Sequence, residues 1–145
     1  MGVIIESEDG TIVFAGSYNG FGSFRQEIAQ VLDCPTYNTH VDLMVESMVP
    51  SEVRTIRDRI RLAEEAKQAK RRMDQELRNL YVTKSYAQTF LEHSDCDGFW
   101  TPQECQDVKR LLEEVKPKLK SVEILTTFVK GLEYGIRNQQ NINFT

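Results

Sequence analysis

Cysteine is scarce in this sequence, with three in 145 residues. An odd and sparse count cannot build a closed disulfide framework, so a small secreted scaffold is excluded and a reducing, cytoplasmic setting is expected. Long apolar runs are missing as well. The longest, residues 12–15, is about four residues against the roughly 20 that span a bilayer, so no membrane segment is expected. No basic-flanked apolar stretch opens the chain, and Glu6 stands where a myristoylation signal has Ser or Thr. Neither a targeting peptide nor a lipid anchor is expected. Eight Gly and four Pro are too few for a linker or a collagen-like chain. With two His, no Gly-Lys-Ser/Thr phosphate loop and no nucleophile-elbow serine ordered with a histidine, an enzyme is not expected.

What remains is globular in balance, 40% apolar and 28% charged. The length suits one domain over residues 1–145, divided into 1–49, 50–84 and 85–145. The formal net charge of −4 conceals an uneven distribution. Residues 51–84 carry ten Lys/Arg against six Asp/Glu, a surplus of four, which leaves eight against sixteen elsewhere. The basic surplus falls on one segment.

Apolar periodicity sets the expected elements. Val3, Ile4 and Ile5, and then Thr11, Ile12, Val13 and Phe14, are β-branched and aromatic runs. Asp9-Gly10 between them predicts a hairpin. Residues 16–22 read as a Gly-rich loop, with Ser23 as the N-cap of a helix carrying Phe24, Ile28, Val31 and Leu32 and stopped by Pro35. Residues 37–49 read as a short strand, because residues 40–45 alternate, or as an extended linker. From Ser51, steps of three and four through Val53, Ile56, Ile60, Ala63, Ala66, Ala69, Met73, Leu77 and Leu80 predict one long helix or two abutting ones. Further helices are expected around Phe90, over 102–115 and from a Ser121 cap onward, with a closing strand at 141–145. The predicted class is α+β: mostly helical, with a small antiparallel sheet and one long helix.

The turn at 93–104 concentrates the candidate chemistry. With Gly98 as the sixth position it resembles a calcium loop of the EF-hand type. His93 falls at position 1, Asp95 at 3, Asp97 at 5, the Phe99 carbonyl at 7, Trp100 at 8, Thr101 at 9 and Glu104 at 12. Calcium takes six to eight oxygens, and early carboxylates with a closing bidentate Glu suit it, so Ca2+ is the candidate cofactor. Position 1 departs from the pattern, since a hard cation prefers oxygen to imidazole nitrogen, and no second loop accompanies this one. A metal-free reading explains much of the same string: Thr101-Pro102-Gln103-Glu104 is a capping box with Pro at the first helical position, and Asp97-Gly98 is a common turn pair. Zinc on His93, Cys96 and Cys105, with Cys34 and His40 added, fits no compact zinc spacing, and Cys105 falls on an apolar helix face.

Two other patterns carry weaker chemistry. The Gly-rich 16–23 segment opening a helix has the layout of a phosphate cradle, with Arg25 the nearby cation, but its aromatics suit hydrophobic pegs. Arg54, Arg57, Arg61, Lys67, Lys70, Arg71 and Arg72 form a basic face that suits the phosphates of a nucleic acid. Glu64, Glu65, Asp74 and Glu76 flank that face, with Arg61–Glu65 and Asp74–Arg78 at helical pairing distance. A long helix with a narrow apolar seam is more often a helix-pairing surface, within the chain or between copies.

The string His93-Ser94-Asp95-Cys96-Asp97-Gly98, followed by Thr101-Pro102-x-Glu104-Cys105, resembles a motif shared by a group of small proteins from Gram-positive bacteria and their phages. The segment 20–29 is similar to their N-terminal helix, and Gly131-Leu132-Glu133 with Ile142-x-Phe144 to their C-termini. The resemblance implies an architecture and a phage or mobile-element setting. It implies no activity. The expectation is a non-enzymatic cytoplasmic protein that binds protein partners or itself, with a weak divalent-cation site in the turn. The alternative is a nucleic-acid-associated protein using the basic helix.

Overall fold

A computed structural model describes residues 2–47, 55–94 and 97–145. The N-terminal hairpin forms as the β-branched runs predict. Strand β1 (Gly2–Ser7) pairs antiparallel with β2 (Ile12–Ser17) across the Asp9-Gly10 turn. Ile5 pairs with Phe14 and Glu6 with Ile12, so Val13 is an extra residue on β2, a β-bulge. The bulge lets β2 turn both Val13 and Phe14 toward the core.

Helix α1 (Tyr18–Val31) starts five residues before the predicted Ser23 cap. Ser17 caps it instead, its hydroxyl accepting from the Gly20 N–H at 2.9 Å. Helical Gly20 and Gly22 each cost about 1 kcal/mol relative to Ala. Complete burial of Phe21 and Phe24 on the same helix, at about 1.5–3 kcal/mol each, outweighs that. Of the expected Gly-rich loop over 16–22, residues 16 and 17 therefore end β2 and residues 18–22 open the helix.

Residues 35–47 form a helix, α2 (Pro35–Ser47), and neither the strand nor the linker that their alternation suggests. Pro35 begins it, where a missing N–H costs nothing. Helix α3 (Ile56–Thr83) follows, capped by Thr55, and packs along α2 as an αα-hairpin. The Thr36 N–H donates to Glu76 Oε2 at 3.3 Å, so the start of α2 meets the far part of α3. The predicted Ser51 cap and Val53 lie outside the described residues.

The long-helix expectation is met, with α3 ending at Thr83 and α4 (Ala87–Glu92) beginning after a turn. Strand β3 (Phe99–Trp100) leads into α5 (Pro102–Val115), whose limits match the expectation. A 3-10 turn at Lys116–Lys118 follows, then α6 (Val122–Arg137) and strand β4 (Ile142–Phe144). The sheet order is β2-β1-β4-β3, with β4 antiparallel to both of its neighbours. Spacing alone does not predict β3, because two residues become a strand only by pairing with β4.

One core unites sheet and helices, built around Phe21, Phe24, Phe90, Trp100 and Phe128, whose ring contacts fall between 5.8 and 6.4 Å. Leu77 at the far end of α3 joins this core. Leu62 and Ala69, although buried, do not. The outer half of α3 therefore leaves the body as an arm, with α2 alongside it.

Candidate functional site

Of the turn at 93–104, residues 93–94 and 97–104 are described, and three of their features are those of a calcium loop. A helix, α4, enters it and a helix, α5, leaves it. Gly98 lies at φ +83°, in the left-handed region that a side chain disfavours. Phe99 and Trp100 form the short strand, and Thr101 caps the exit helix. In paired EF-hands that strand meets its counterpart from the second loop. Here β4 takes its place, with the Phe144 N–H donating to the Gly98 carbonyl at 3.0 Å.

The ligand side is arranged otherwise. The His93 ring packs 4.2 Å from Phe144 and 5.4 Å from Trp100, centroid to centroid, and its Nδ1 lies 2.6 Å from the Ser94 carbonyl oxygen. Its Nε2 lies over Gly98, 3.2 Å from where a Cβ would stand. His93 is thus an aromatic packing residue beside the turn. Glu104 closes the capping box: its Oε1 accepts from the Thr101 N–H at 3.1 Å, and its own N–H donates to Thr101 Oγ1 at 3.2 Å. Oε1 of Glu104 is thus engaged by the start of the exit helix. Asp97 and Phe99 are exposed, and Asp95 lies outside the described residues. Among the described residues no three His, Cys, Asp or Glu side chains are drawn together at metal-binding range.

The thiols offered for zinc are placed for packing. Cys34 and Cys105 are both buried in the core cluster. Burial pushes Cys105 up to about 12, with Glu104 adding to the rise, and burial also raises Cys34, helped by Glu76 and Asp33. Neither is disposed to ionise as a thiolate ligand. Cys96 lies outside the described residues, and His40 is on α2. Arg25, read as the cation of a phosphate cradle, is buried, with its guanidinium 4.7 Å from the Phe21 ring centre and 5.6 Å from that of Phe90.

The second candidate is the arm. At 1.5 Å per residue, the 28 residues of α3 run roughly 42 Å. Leu62, Ala69 and Leu77 form its inward seam. Ile56 and Ile60, predicted for that seam, point outward instead, 69% and 65% exposed, and Ala63 is exposed as well. Two apolar stripes share the N-terminal half of α3, and the fold uses one of them.

The predicted cations Arg57, Arg61, Lys67, Lys70, Arg71 and Arg72 are all exposed on this helix. Arg54 lies outside the described residues. Among the described residues only Arg61 of the set makes an ion pair, with Asp58 at 3.8 Å and Glu65 at 3.9 Å. Arg78 donates to the Asp74 backbone carbonyl at 3.4 Å, in place of the expected carboxylate pair.

Sequence reasoning missed the carboxylates that tie elements together. Glu27 on α1 accepts from the Ser121 hydroxyl at 2.6 Å and from the backbone N–H groups of Lys120 and Ser121, so it caps α6 in place of the predicted Ser121 side chain. Asp9 in the hairpin turn accepts from Ser7 and Tyr134, and it lies well below the ordinary carboxylate range chiefly because of those two hydrogen bonds. No local pattern marks these ties, since Ser121 lies 94 positions from Glu27 and Tyr134 lies 125 from Asp9.

Compared with family models, curated proteins and solved structures, the chain matches none of them. What its own geometry defines is a helical α+β domain carrying an αα-hairpin arm. No helix among the described residues is long and apolar enough to cross a membrane.

Proposed function

We propose that this chain is a non-enzymatic binding protein that acts through protein–protein contact and associates with itself through the outer half of α3. The observation that supports this is the pair Ile56 and Ile60, one helical turn apart and open on an arm that has left the core. Two such stripes packed together remove four isoleucines from water, each contributing on the order of 1–2 kcal/mol before the cost of ordering. Acidic residues elsewhere on the chain offer the cations of the arm complementary charge. The setting fits the cytoplasm of a bacterium or of a phage-infected cell, on the resemblance of the 93–105 string. A weak divalent-cation site in the turn belongs to the same reading and rests on the left-handed Gly98 and on the helices that flank the turn. Light scattering tests the self-association. An oligomeric mass that falls to 16.7 kDa in Ile56→Asp/Ile60→Asp supports it, and a strict monomer at every concentration sinks it.

A second reading has its own observation. Arg57, Lys67, Lys70, Arg71 and Arg72 are exposed without a carboxylate partner among the described residues, which leaves them for phosphates. In this reading a DNA duplex binds with an affinity that falls steeply with salt and weakens in Arg71→Ala/Arg72→Ala. Affinity indifferent to salt counts against it.

A further inference from the structure

The outer side of β2 is an open sheet edge, because β2 pairs with β1 alone. Its six residues, Ile12 to Ser17, contain no charge and no proline. Charge and proline are two of the devices by which proteins keep an edge from taking up another strand, and of those devices β2 carries the bulge at Val13. Helix α6 stands beside this edge. Ile12, Phe14 and Ala15 on the strand, with Glu123, Ile124 and Thr127 on the helix, line a cleft of about 290 Å³. Ile12 and Ile124, on opposite walls, are 58% and 37% exposed. Glu123 is the only charged side chain among the described lining residues, and no described cation pairs with it.

We infer that this cleft receives an extended peptide segment of another protein, which adds to β2 as a fifth strand and sets a Lys or Arg against Glu123. Three features of the cleft select that occupant. The unpaired N–H and C=O groups of an edge strand are satisfied in register by another extended backbone, which a helix cannot offer because its own groups are used internally. The apolar walls take one side chain of an alternating strand. Exposed Glu123 offers a cation of the occupant a carboxylate at the rim, and a β2 strand of a second copy, added across a two-fold axis, carries no charge to set against it. The surface lies on the body, so it stands whether or not the arm self-associates.

The probe is the synthetic peptide acetyl-Lys-Val-Thr-Val-Thr-Val-amide, titrated into the full chain with amide exchange and chemical shifts followed by NMR. Strand addition slows exchange at alternate residues of 12–17 and shifts Glu123 and Ile124. Glu123→Lys weakens binding about two- to fivefold, as one exposed ion pair does, and a peptide with Glu in place of Lys restores it. Ile124→Asp removes binding from the helix wall without touching the strand, which covers the case in which edge variants fail to fold. Peptide N-methylated on its pairing edge does not bind. The inference is overturned if the β2 amides are unaffected at millimolar peptide, or if shifts map to α3. It is also overturned if β2 is protected without peptide in step with a dimeric mass, which identifies a second copy as the occupant.

Discussion

Val13 and Gly131 lie in direct contact: a methyl group on Gly131 would stand 2.6 Å from both γ carbons of Val13. The bulge that turns Val13 inward and the missing side chain at 131 are two halves of one joint, by which α6 closes on the hairpin. Gly131→Ala is expected to destabilise the chain by about 1–3 kcal/mol through overpacking. In urea denaturation, Val13→Ala in the same chain should return part of that loss, since neighbours in contact couple. Additive losses would mean that the joint relaxes freely.

Acid should loosen the junction of α1 with α6. Burial alone raises Glu27, but the Ser121 hydroxyl and the N–H groups of Lys120 and Ser121 outweigh it and bring the group below its ordinary value of 4.5. A carboxylate lowered in the folded state contributes stability that is fully present above its unfolded value and is lost as pH falls through the folded one. The urea midpoint of the wild type should therefore drop on acidification below about 4.5, and Glu27→Gln should lose less over that interval. Parallel pH curves for the two proteins would remove this role.

The buried thiols should be chemically silent. In a Cys96→Ser background, Cys34 and Cys105 are expected to react with a disulfide reagent at pH 8 only as fast as the chain unfolds, because both are buried and raised. A rapid phase of one thiol would place it at the surface.

The turn offers a direct comparison of cap with cation. Thr101→Ala should cost about 1 kcal/mol of stability through the lost cap, with or without calcium. If the turn also holds calcium, the fluorescence of buried Trp100 should respond at sub-millimolar calcium, and Asp97→Ala should abolish the response. An unresponsive Trp100 leaves the capping box as the whole role of Glu104.

What sequence made legible was whatever short-range chemistry determines. The limits of α5 follow from Thr101, Pro102 and Glu104, and Trp100 and Cys105 are buried as their positions imply. Helix α2 was illegible for a physical reason: it buries none of its residues fully, so the stripe that advertises a helix is weak and residues 40–45 can pass for a strand. Ile56 and Ile60 misled in the opposite sense, since a regular three-and-four spacing identifies a helix face without saying what covers it. Of the turn, the left-handed Gly98 and the Thr101 cap were readable. The inward packing of His93 on Phe144 was not, because its partner is 51 residues away along the chain.

Self-association through the arm is tested most directly by hydrogen–deuterium exchange of the wild-type chain at a low and a high protein concentration. Amides at residues 56–67 should exchange more slowly at the high concentration, while those of α5 and α6 stay unchanged. In Ile56→Asp/Ile60→Asp the concentration dependence should vanish. Exchange along α3 that is the same at both concentrations would contradict the arm as a self-association surface.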